Sequence, residues 1–404
     1  MATQLAIDGG EPVRRDPFPR WPQWDEAERD ALSAVLASGE WWSMGGPQGD
    51  ALAREFAALH EAAYGVCCTN GSAALEVCLR AAGLDWGDEV ITTAYSFIAT
   101  ANAALLVGAV PRFADILPDT WNLDPACVEA LITPRTRAII AVHIGGEPAD
   151  LDALTRIARE HHLLLIEDAA QAHGAAWRGR RVGAIGDMGT FSFQQSKNMT
   201  AGEGGMILSN SATWAERCWS VVNVGRRKEG GWYEHVGLAS NYRLTEWQAA
   251  ILRAQLPRLL RQNAHRQQCA QQLAEGLAQI GGLTALPGDP RVSANAYHLL
   301  KLRYDPATFG GRSAAEFVRA AQAEGVPFTR GYPAPFGCEE VIRRETARIC
   351  GHLARPVPDD GPWPHCTEAC TNGLWLPQPV LLGTPQDMES ILATVAKIQQ
   401  AWRD

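Results

Sequence analysis

Short apolar runs alternate with helix-period segments through the first two-thirds of the chain, and this alternation constrains the fold more than any other feature. Three of the runs are typical of buried strands: "GVCCTN", "TRAIIAVHIGG" and "LLLIEDAA". Between the first two, the stretch from Ser72 to about Ala82 places Leu75, Cys78 and Leu79 at the spacing of one helix face. Strands that alternate with helices in this way predict an α/β sheet.

The last third of the chain has a different character. A long helical pattern begins at Thr245 with "TEWQAAILRAQL" and continues past Pro257, where we expect a kink because proline cannot donate the interior helical hydrogen bond. From about Gly281 strands and helices mix again, as in "AYHLLKLRYD" and "SAAEFVRAAQAEG". We therefore predict two domains. Residues 1–260 form an N-terminal segment and a large domain, and residues 261–404 form a small α/β domain.

Composition and charge argue against several classes of protein. The net charge is −9 and no basic patch is present, so we expect no nucleic-acid partner. No window of about 18 apolar residues exists, so we expect no membrane span. "MATQLAIDGGEPVRRD" lacks the pattern of a signal peptide, and the ten cysteines are expected as reduced thiols in the cytoplasm. We expect no metal site, because one cluster of possible ligands fits no common zinc spacing: Cys350, His352, His365, Cys366 and Cys370.

Two predicted strand ends carry groups that could bind a ligand. "TNGSAAL" places Gly71 and Ser72 at a strand-to-helix turn, where free backbone N–H groups and the helix dipole favour an anion such as phosphate. An ordinary helix N-cap by Ser72 gives the same pattern. "LLLIEDAAQAHG" ends a strand on Glu167 and Asp168. A buried carboxylate needs a partner, which here is a cationic ligand nitrogen, a salt bridge or a helix N-cap.

A third strand is followed by a single lysine, Lys197, in "FSFQQSKNMTAGEGG". A free lysine amine is a poor nucleophile at neutral pH, although burial or imine formation with an aldehyde changes this. A lysine beside a glycine-rich loop is usually just solvated. However, a phosphate turn, an acidic strand end and a lysine, in this order, are the parts that pyridoxal phosphate requires. They would anchor its phosphate, keep its ring nitrogen protonated and bind its aldehyde.

Taken together, the motifs resemble those of the sugar and cyclitol aminotransferases of the DegT/DnrJ/EryC1/StrS group. The shared segments span nearly the whole chain: "LAIDGGEPVR", "SGEWWSMGG", "NGSAALEVCLRAAG", "VITTAYSFIATANAAL", "IEDAAQAHG", "FSFQQSKNMTAGEGG", "ASNYRLTEWQAA" and "WLPQPVLLGTPQDM". The resemblance implies a pyridoxal-phosphate enzyme of fold type I, similar to aspartate aminotransferase. Its large domain would hold a mostly parallel seven-stranded sheet, beside a small C-terminal α/β domain. The resemblance also implies a homodimer whose active sites borrow residues from the neighbouring chain.

The resemblance assigns roles to residues that match the family's motifs. Lys197 would be the catalytic lysine, forming the imine with the cofactor and then moving a proton in a ping-pong reaction through pyridoxamine phosphate. Asp168 would pair with the pyridinium nitrogen. Phe97 would stack on the ring, and Gln171 would lie near its phenolic oxygen. The phosphate would be held by a set of four: Gly71, Ser72, Ser192 and Asn241 of the partner subunit.

The same resemblance narrows the reaction. Relatives that deoxygenate sugars carry histidine in place of Lys197, so the lysine indicates amino transfer. "FSFQQSKNMTAGEGG" and "RGYPAPF" are similar to the branch that aminates ketocyclitols such as scyllo-inosose for aminoglycosides, with L-glutamine or L-glutamate as donor. A nucleotide-diphosphate ketosugar acceptor and an aminohydroxybenzoate synthase-like reaction remain alternatives. A non-catalytic regulator that binds the cofactor is a further class.

Several residues are candidates for contacts with the substrate. Val224 stands where many relatives have histidine, which bears on specificity if this side chain touches the substrate. The tryptophan pair at 41 and 42 would line the substrate entrance or simply pack, and a buried structural role is the alternative for the histidine at 143. The candidate contacts are Trp41, His143, Arg243 and Tyr332.

Overall fold

The structure, a computed structural model, describes residues 4–403. Residues 1–3, with which the first predicted domain and the segment inspected for a signal peptide begin, lie outside the described residues. Residue 404, the last of the second predicted domain, also lies outside them. The strands in chain order are β1 (Tyr64–Cys68), β2 (Glu89–Thr93), β3 (Val110–Ala114), β4 (Thr136–Val142), β5 (Leu164–Asp168), β6 (Ala176–Trp177), β7 (Arg180–Arg181), β8 (Met188–Ser192), β9 (Gly205–Ser209), β10 (Leu283–Ala285), β11 (Val292–Ala294), β12 (Leu299–Tyr304), β13 (Thr329–Arg330) and β14 (Gly373–Pro377). The helices are α1 (Glu26–Ser38), α2 (Pro47–Leu59), α3 (Gly71–Ala82), α4 (Ala99–Leu106), α5 (Pro125–Ala130), α6 (Leu151–Glu160), α7 (Ala212–Val222), α8 (Glu246–Gln255), α9 (Leu259–Ile280), α10 (Ala314–Ala323), α11 (Glu340–His352), α12 (Pro364–Asn372) and α13 (Pro385–Arg403). Among residues 4–403, none of the helices combines the length and the apolar character that a membrane crossing requires.

A seven-stranded sheet organises the first part of the chain, in the order β1-β9-β8-β5-β4-β2-β3. Strand β9 is antiparallel to both of its neighbours, β1 and β8, and the other neighbouring strands are parallel. The predicted α/β class and the mostly parallel seven-stranded sheet are therefore confirmed. Leu165 and Ile166, successive residues of β5, pack into different apolar clusters. A strand buried on both faces is apolar at nearly every position, which explains the run "LLLIEDAA".

A smaller unit contains the four-stranded antiparallel sheet β10-β12-β14-β13. One apolar core joins this sheet to helices α9, α10 and α13 through side chains that include Leu273, Phe317 and Ile391. The segments "AYHLLKLRYD" and "SAAEFVRAAQAEG" form strand β12 and helix α10, as the sequence predicts.

The start of the chain packs on this smaller unit. Leu5 lies in its apolar core. The backbone N–H groups of Ala6 and Val13 donate hydrogen bonds of 2.8 and 2.9 Å to the Glu324 carboxylate. The division of the chain at residue 260 stays a prediction, and these contacts attach the N-terminal segment to the smaller unit.

Helix α9 connects the two parts of the molecule. Pro257 interrupts the long helical pattern as expected, because α8 ends at Gln255 and a 3₁₀ turn at Leu256–Arg258 precedes α9. Near the start of α9, Leu259 packs in a core of the large sheet, whereas Leu273 packs in the core of the smaller unit. One helix therefore belongs to both cores.

A buried carboxylate, Glu246, fixes the place where α8 meets α2. Its oxygens accept the backbone N–H groups of Gln48 and Gly49, in the first turn of α2, at 2.7 and 2.9 Å. Gly46, the N-cap residue of α2, has no side chain to do this. The first amides of a helix lack partners within the helix, so Glu246 caps α2 from a neighbouring element.

We expect Glu246→Ala to lower the free energy of unfolding by about 1–3 kcal/mol, because one buried and one partly buried amide lose their acceptor. Chemical denaturation followed by far-ultraviolet circular dichroism measures the change. The control Glu275→Ala, at an exposed position of α9, should change it by less than about 0.5 kcal/mol. A Glu246→Ala protein as stable as the unaltered one would contradict the capping role.

Candidate active site

The predicted catalytic residues meet at one edge of the large sheet. Asp168 ends β5 and Ser192 ends β8. The two strands are parallel neighbours, with Asp168 opposite Thr190. Lys197 follows five residues after the end of β8, in a loop that folds back so that Gln195 N–H donates to the Gly202 carbonyl at 2.9 Å. The edge is therefore where the strand-end carboxylate and the lysine come together.

The strand-to-helix turn at Gly71 lies at the same edge of the sheet. Helix α3 begins at Gly71, and its N-cap is Asn70, whose side chain accepts the Ala73 N–H at 2.8 Å. The alternative that Ser72 caps the helix is therefore wrong, and Ser72 is exposed in the first turn. A Cβ atom added at Gly71 would lie 2.7 Å from Ser192 Cβ. Glycine is required here because it lets the helix start approach the end of β8.

The two adjacent carboxylates at the end of β5 have different surroundings. Glu167 accepts hydrogen bonds from three backbone N–H groups, those of Gly183, Ile185 and Gly186, at 2.7–2.8 Å. The ring of His143 lies 3.1 Å away. Burial by itself raises the pKa of Glu167, but the bonds from His143 and the backbone outweigh it and lower this pKa. Glu167 is thus a satisfied structural carboxylate.

Asp168 has fewer partners than its neighbour. It accepts the Thr100 hydroxyl at 2.9 Å and the Ala170 N–H at 3.2 Å, and within residues 4–403 no cation forms an ion pair with it. Burial raises the pKa of the Asp168 carboxyl, and the hydrogen bond from Thr100 opposes this rise. A buried carboxylate with spare acceptor capacity suits a cationic ring nitrogen, because that nitrogen would supply the missing charge.

The same environment changes the pKa of the Lys197 amine. Burial lowers its pKa from 10.5 to about 8, and the negative charge of Asp168 opposes part of that change. Roughly a tenth of the amine is then the free base at pH 7, far more than for an ordinary lysine, and the free base is the form that attacks an aldehyde.

Two other predicted cofactor contacts, Phe97 and Gln171, follow the carboxyl ends of β2 and β5 at the same edge of the sheet. Phe97 is 58% exposed although it is aromatic, so its ring is available to stack on a ligand. Gln171 accepts the Gly145 N–H at 2.7 Å and places its Nε2 3.4 Å from the Tyr332 hydroxyl. Burial raises the pKa of Tyr332 well above its ordinary value, so its hydroxyl stays protonated. The structure thus brings the predicted contacts Gln171 and Tyr332 together.

His143 does not present a free ring nitrogen to the site. It is fully buried, its Nδ1 accepts the Ala149 N–H at 3.0 Å and its Nε2 lies 3.1 Å from Glu167. Because Nδ1 accepts, Nε2 carries the proton and donates it. Both nitrogens are used within the chain, so these contacts fit the structural alternative and provide no support for a substrate contact.

The remaining candidates, Trp41 and Arg243, lie on two segments that contact each other through a bridge between Trp42 and Thr245. Arg243 is 5.4 Å from the ring of Trp42, and its backbone N–H donates to the Asn241 side chain at 3.3 Å. Trp41 packs against Trp247, with 5.4 Å between ring centroids. Burial lowers the pKa of Arg243, and its Nη1 is buried without a partner among the described residues.

Next to these segments, Val224 adopts a left-handed backbone with φ of 57°, which is rare for a β-branched residue.

Two polar residues near the site were not identified from the sequence. Thr100 binds Asp168, and Arg226, 4.1 Å from the Trp232 ring, has a buried Nε without a partner among the described residues. Thr100 is 68 residues from Asp168, and no local pattern signals such a contact.

Comparison with known proteins points to one family. A profile of the DegT/DnrJ/EryC1/StrS aminotransferase family matches residues 22–395. A Streptoalloteichus tenebrarius protein named L-glutamine:2-deoxy-scyllo-inosose aminotransferase is 39% identical, over 98% of this chain and 98% of its own. The crystal structure of 3-amino-5-hydroxybenzoic acid synthase is 34% identical with a TM-score of 0.86, covering 95% of this chain and 99% of that one. A Bacillus subtilis structure, NtdA with bound cofactor PMP, is 26% identical with a TM-score of 0.80, covering 93% of this chain and 81% of that one.

Pyridoxal phosphate, the cofactor of these aminotransferases, fits the residues present. Asp168 lacks a cationic partner among the described residues, as a carboxylate reserved for a ring nitrogen would. The approach of Gly71 to Ser192 leaves no room for a Cβ atom, and it places the amides of a helix N-terminus beside two serine hydroxyls. Such a turn suits the phosphate. Lys197, with its lowered pKa, suits the aldehyde.

We expect Lys197 to react with pyridoxal phosphate in the cofactor-free protein with a pH midpoint near 8. Because its pKa is lowered to about 8, the free base appears above that pH, whereas an ordinary lysine requires a pH above about 10. Reaction with pyridoxal phosphate, reduction by borohydride and peptide mapping measure the extent of labelling at each pH. A synthetic peptide that carries the sequence around Lys228 serves as the control, because a lysine in a short peptide has the ordinary pKa. If the labelling of the two lysines depended on pH in the same way, the lowered pKa of Lys197 would be contradicted.

Proposed function

The chain belongs to the DegT/DnrJ/EryC1/StrS aminotransferase family and depends on pyridoxal phosphate, and we propose that it transfers an amino group from L-glutamine or L-glutamate to a ketocyclitol such as scyllo-inosose. The observation that carries the transferase chemistry is the pairing of a partly deprotonated Lys197 with an uncompensated Asp168 at one sheet edge. The acceptor is supported by the relative named for 2-deoxy-scyllo-inosose, which matches the chain from end to end.

The cofactor, when bound, supplies an electron sink for the bond that breaks next to the amino group. Asp168 would hold a proton at the ring nitrogen, which would let the ring accept those electrons. The Lys197 amine would move a proton between the two carbons bonded to the transferred nitrogen, a role favoured by a pKa near the working pH. Helix α3, with Ser72 and Ser192, would hold the phosphate end in place.

The acceptor side of the site is polar but carries little charge. Gln171 and Tyr332 face each other at 3.4 Å and offer neutral hydrogen-bond donors and acceptors. Neutral groups of this kind suit the hydroxyls of a polyol. In contrast, one nitrogen each of Arg226 and Arg243 has no partner within residues 4–403. Such nitrogens favour an anion and keep the nucleotide ketosugar as a second candidate acceptor.

We also propose a homodimer in which Asn241 of the partner subunit reaches the phosphate turn. The loop of residues 226–240 exposes Trp232, Tyr233 and Leu238, the last at 94%. A neighbouring cleft of about 1030 Å³ is lined by residues of α2, β1, α7 and the same loop, many of them glycine or alanine. Large apolar groups exposed together mark an interaction surface, and a second copy of the chain would cover this one. Sedimentation of the purified protein tests the dimer.

A cytoplasmic location is part of the same proposal. All ten cysteines are free thiols, which fits a reducing compartment.

Two substitutions test the catalytic pair. Lys197→Ala should abolish turnover, because no other lysine lies in this loop, and Asp168→Asn should reduce turnover by about 10²–10⁴-fold, because the amide no longer secures the ring proton. Amino transfer from L-glutamine to 2-deoxy-scyllo-inosose, followed by mass spectrometry, measures both. The control Asp30→Asn, at an exposed position of α1, should keep full activity. Activity retained by Lys197→Ala would refute the proposed mechanism.

The acceptor is tested separately with the unaltered enzyme. Purified protein is given scyllo-inosose with L-glutamine in one reaction and a nucleotide ketosugar with L-glutamate in another. Turnover of the first supports the ketocyclitol. Turnover of only the second would overturn the acceptor and leave the aminotransferase in place.

A further inference from the structure

One fully buried guanidinium lies behind the Lys197 loop without a counter-ion. Arg266 of α9 has no exposed surface, and no carboxylate among residues 4–403 pairs with it. All its acceptors are neutral amide oxygens: Gln378 Oε1 lies 3.0 Å from Nε and 2.6 Å from Nη2, and Asn263 Oδ1 lies 2.8 Å from Nη1. A buried charge without a counter-ion is costly, so an apolar side chain would serve stability better. The arginine must therefore do something other than fill the core.

The bonds from Arg266 fix the orientation of two amide groups. Because two of its nitrogens donate to Gln378 Oε1, the Nε2 of Gln378 must point the other way. That nitrogen lies 3.4 Å from the Ser196 carbonyl. In the same way, Asn263 turns its oxygen to Arg266 and donates its Nδ2 to the His173 carbonyl at 2.7 Å.

The oriented amides reach both neighbours of Lys197. On one side, Gln378 contacts Ser196 as described. On the other side, Asn198 donates to Asn263 Oδ1 at 3.4 Å and to the Ala296 carbonyl at 2.7 Å. His298 completes this side through its Nδ1, 3.1 Å from Asn198 Oδ1. The residues before and after the lysine are therefore tied to one buried network.

A third contact joins the network to the same loop. The guanidinium carbon of Arg266 is 5.6 Å from the ring of Trp21, and the indole N–H of Trp21 donates to the Gln195 carbonyl at 2.9 Å. Three positions of the loop, Gln195, Ser196 and Asn198, thus depend on elements from the start, the middle and the end of the chain. Arg266 is the group that contacts all of these elements.

We propose that Arg266 is a positioning residue for Lys197: its guanidinium orients Gln378 and Asn263, and these hold Ser196 and Asn198 so that the lysine amine points to the cofactor. The proposal rests on the function proposed above only in that Lys197 is the reactive lysine. Placement of a reacting group matters strongly, since an error of about 1 Å reduces rates by about 10²-fold.

The first test replaces the guanidinium while keeping an apolar side chain of similar length. Arg266→Met and the control Arg261→Met, at an exposed position of the same helix, are compared for labelling of Lys197 relative to Lys228 by pyridoxal phosphate and borohydride. The circular dichroism of the visible band of the bound cofactor is recorded as well. We expect Arg266→Met to label Lys197 at least about tenfold more slowly and to lose most of the visible dichroism, with Arg261→Met unchanged. Normal labelling and dichroism in Arg266→Met, even with a lower melting temperature, would overturn the proposal.

A second variant keeps the test decisive if Arg266→Met does not fold. Gln378→Glu gives Arg266 a carboxylate to pair with and removes the N–H that faces the Ser196 carbonyl. We expect a melting temperature at least as high as that of the unaltered protein, together with slower labelling of Lys197 and weaker dichroism. Unchanged labelling and dichroism would refute the positioning role.

Labelling requires neither an amino donor nor an acceptor, so a wrong choice of substrate does not affect this test. If Lys197 of the unaltered protein does not react with pyridoxal phosphate at all, the proposed function fails. If it reacts equally in the unaltered protein and in both variants, only the role of Arg266 fails.

Discussion

The parallel pairing of β5 with β8 is the constraint on which the site depends. It places the ends of the two strands side by side, so that Asp168 and Ser192 face the same space and the loop after β8 returns Lys197 to it. The contact of Gly71 with Ser192 then adds a helix N-terminus to that space. The backbone geometry thus places the Asp168 carboxylate and the Lys197 amine at one edge of the sheet, whatever rotamers the two side chains adopt. The antiparallel strand β9 closes the other side of β8 and keeps that edge in register.

The adjacent carboxylates Glu167 and Asp168 have different roles because their surroundings differ. Glu167 is surrounded by donors that lower its pKa, and it holds the turn at residues 183–186. Asp168 has two donors in the part of the chain that the structure describes, and it is buried and has a raised pKa. Since no cation among the described residues forms an ion pair with Asp168, a cationic ligand would gain free energy by pairing with this carboxylate.

Much of the fold and of the central chemistry could be predicted from the sequence, because residue patterns within short segments indicate both. Apolar runs locate the strands of the sheet, and a lysine after the run "FSF" marks the reactive loop. Contacts between distant residues could not be predicted in the same way. Arg266 and Gln378 are 112 residues apart, and their hydrogen bonds depend on the relative placement of two elements to within a fraction of an ångström. The helix cap illustrates the same limit at short range, because Asn70 and Ser72 are both good caps and only the backbone geometry selects Asn70.

The attachment of the first residues to the smaller unit imposes an order on how the chain can fold during synthesis. Ala6 bonds to Glu324, 318 residues later, and Leu5 enters a core formed by residues from 269 onward. At ribosomal rates of about 5–20 residues per second, the start of the chain waits roughly tens of seconds for its binding surface to exist. The seven strands of the large sheet are all made in that interval, so the sheet can form while the N-terminal segment is still unpaired. The first residues are therefore fixed in place by parts of the chain that are made after the whole large sheet, including Glu324 at the end of α10.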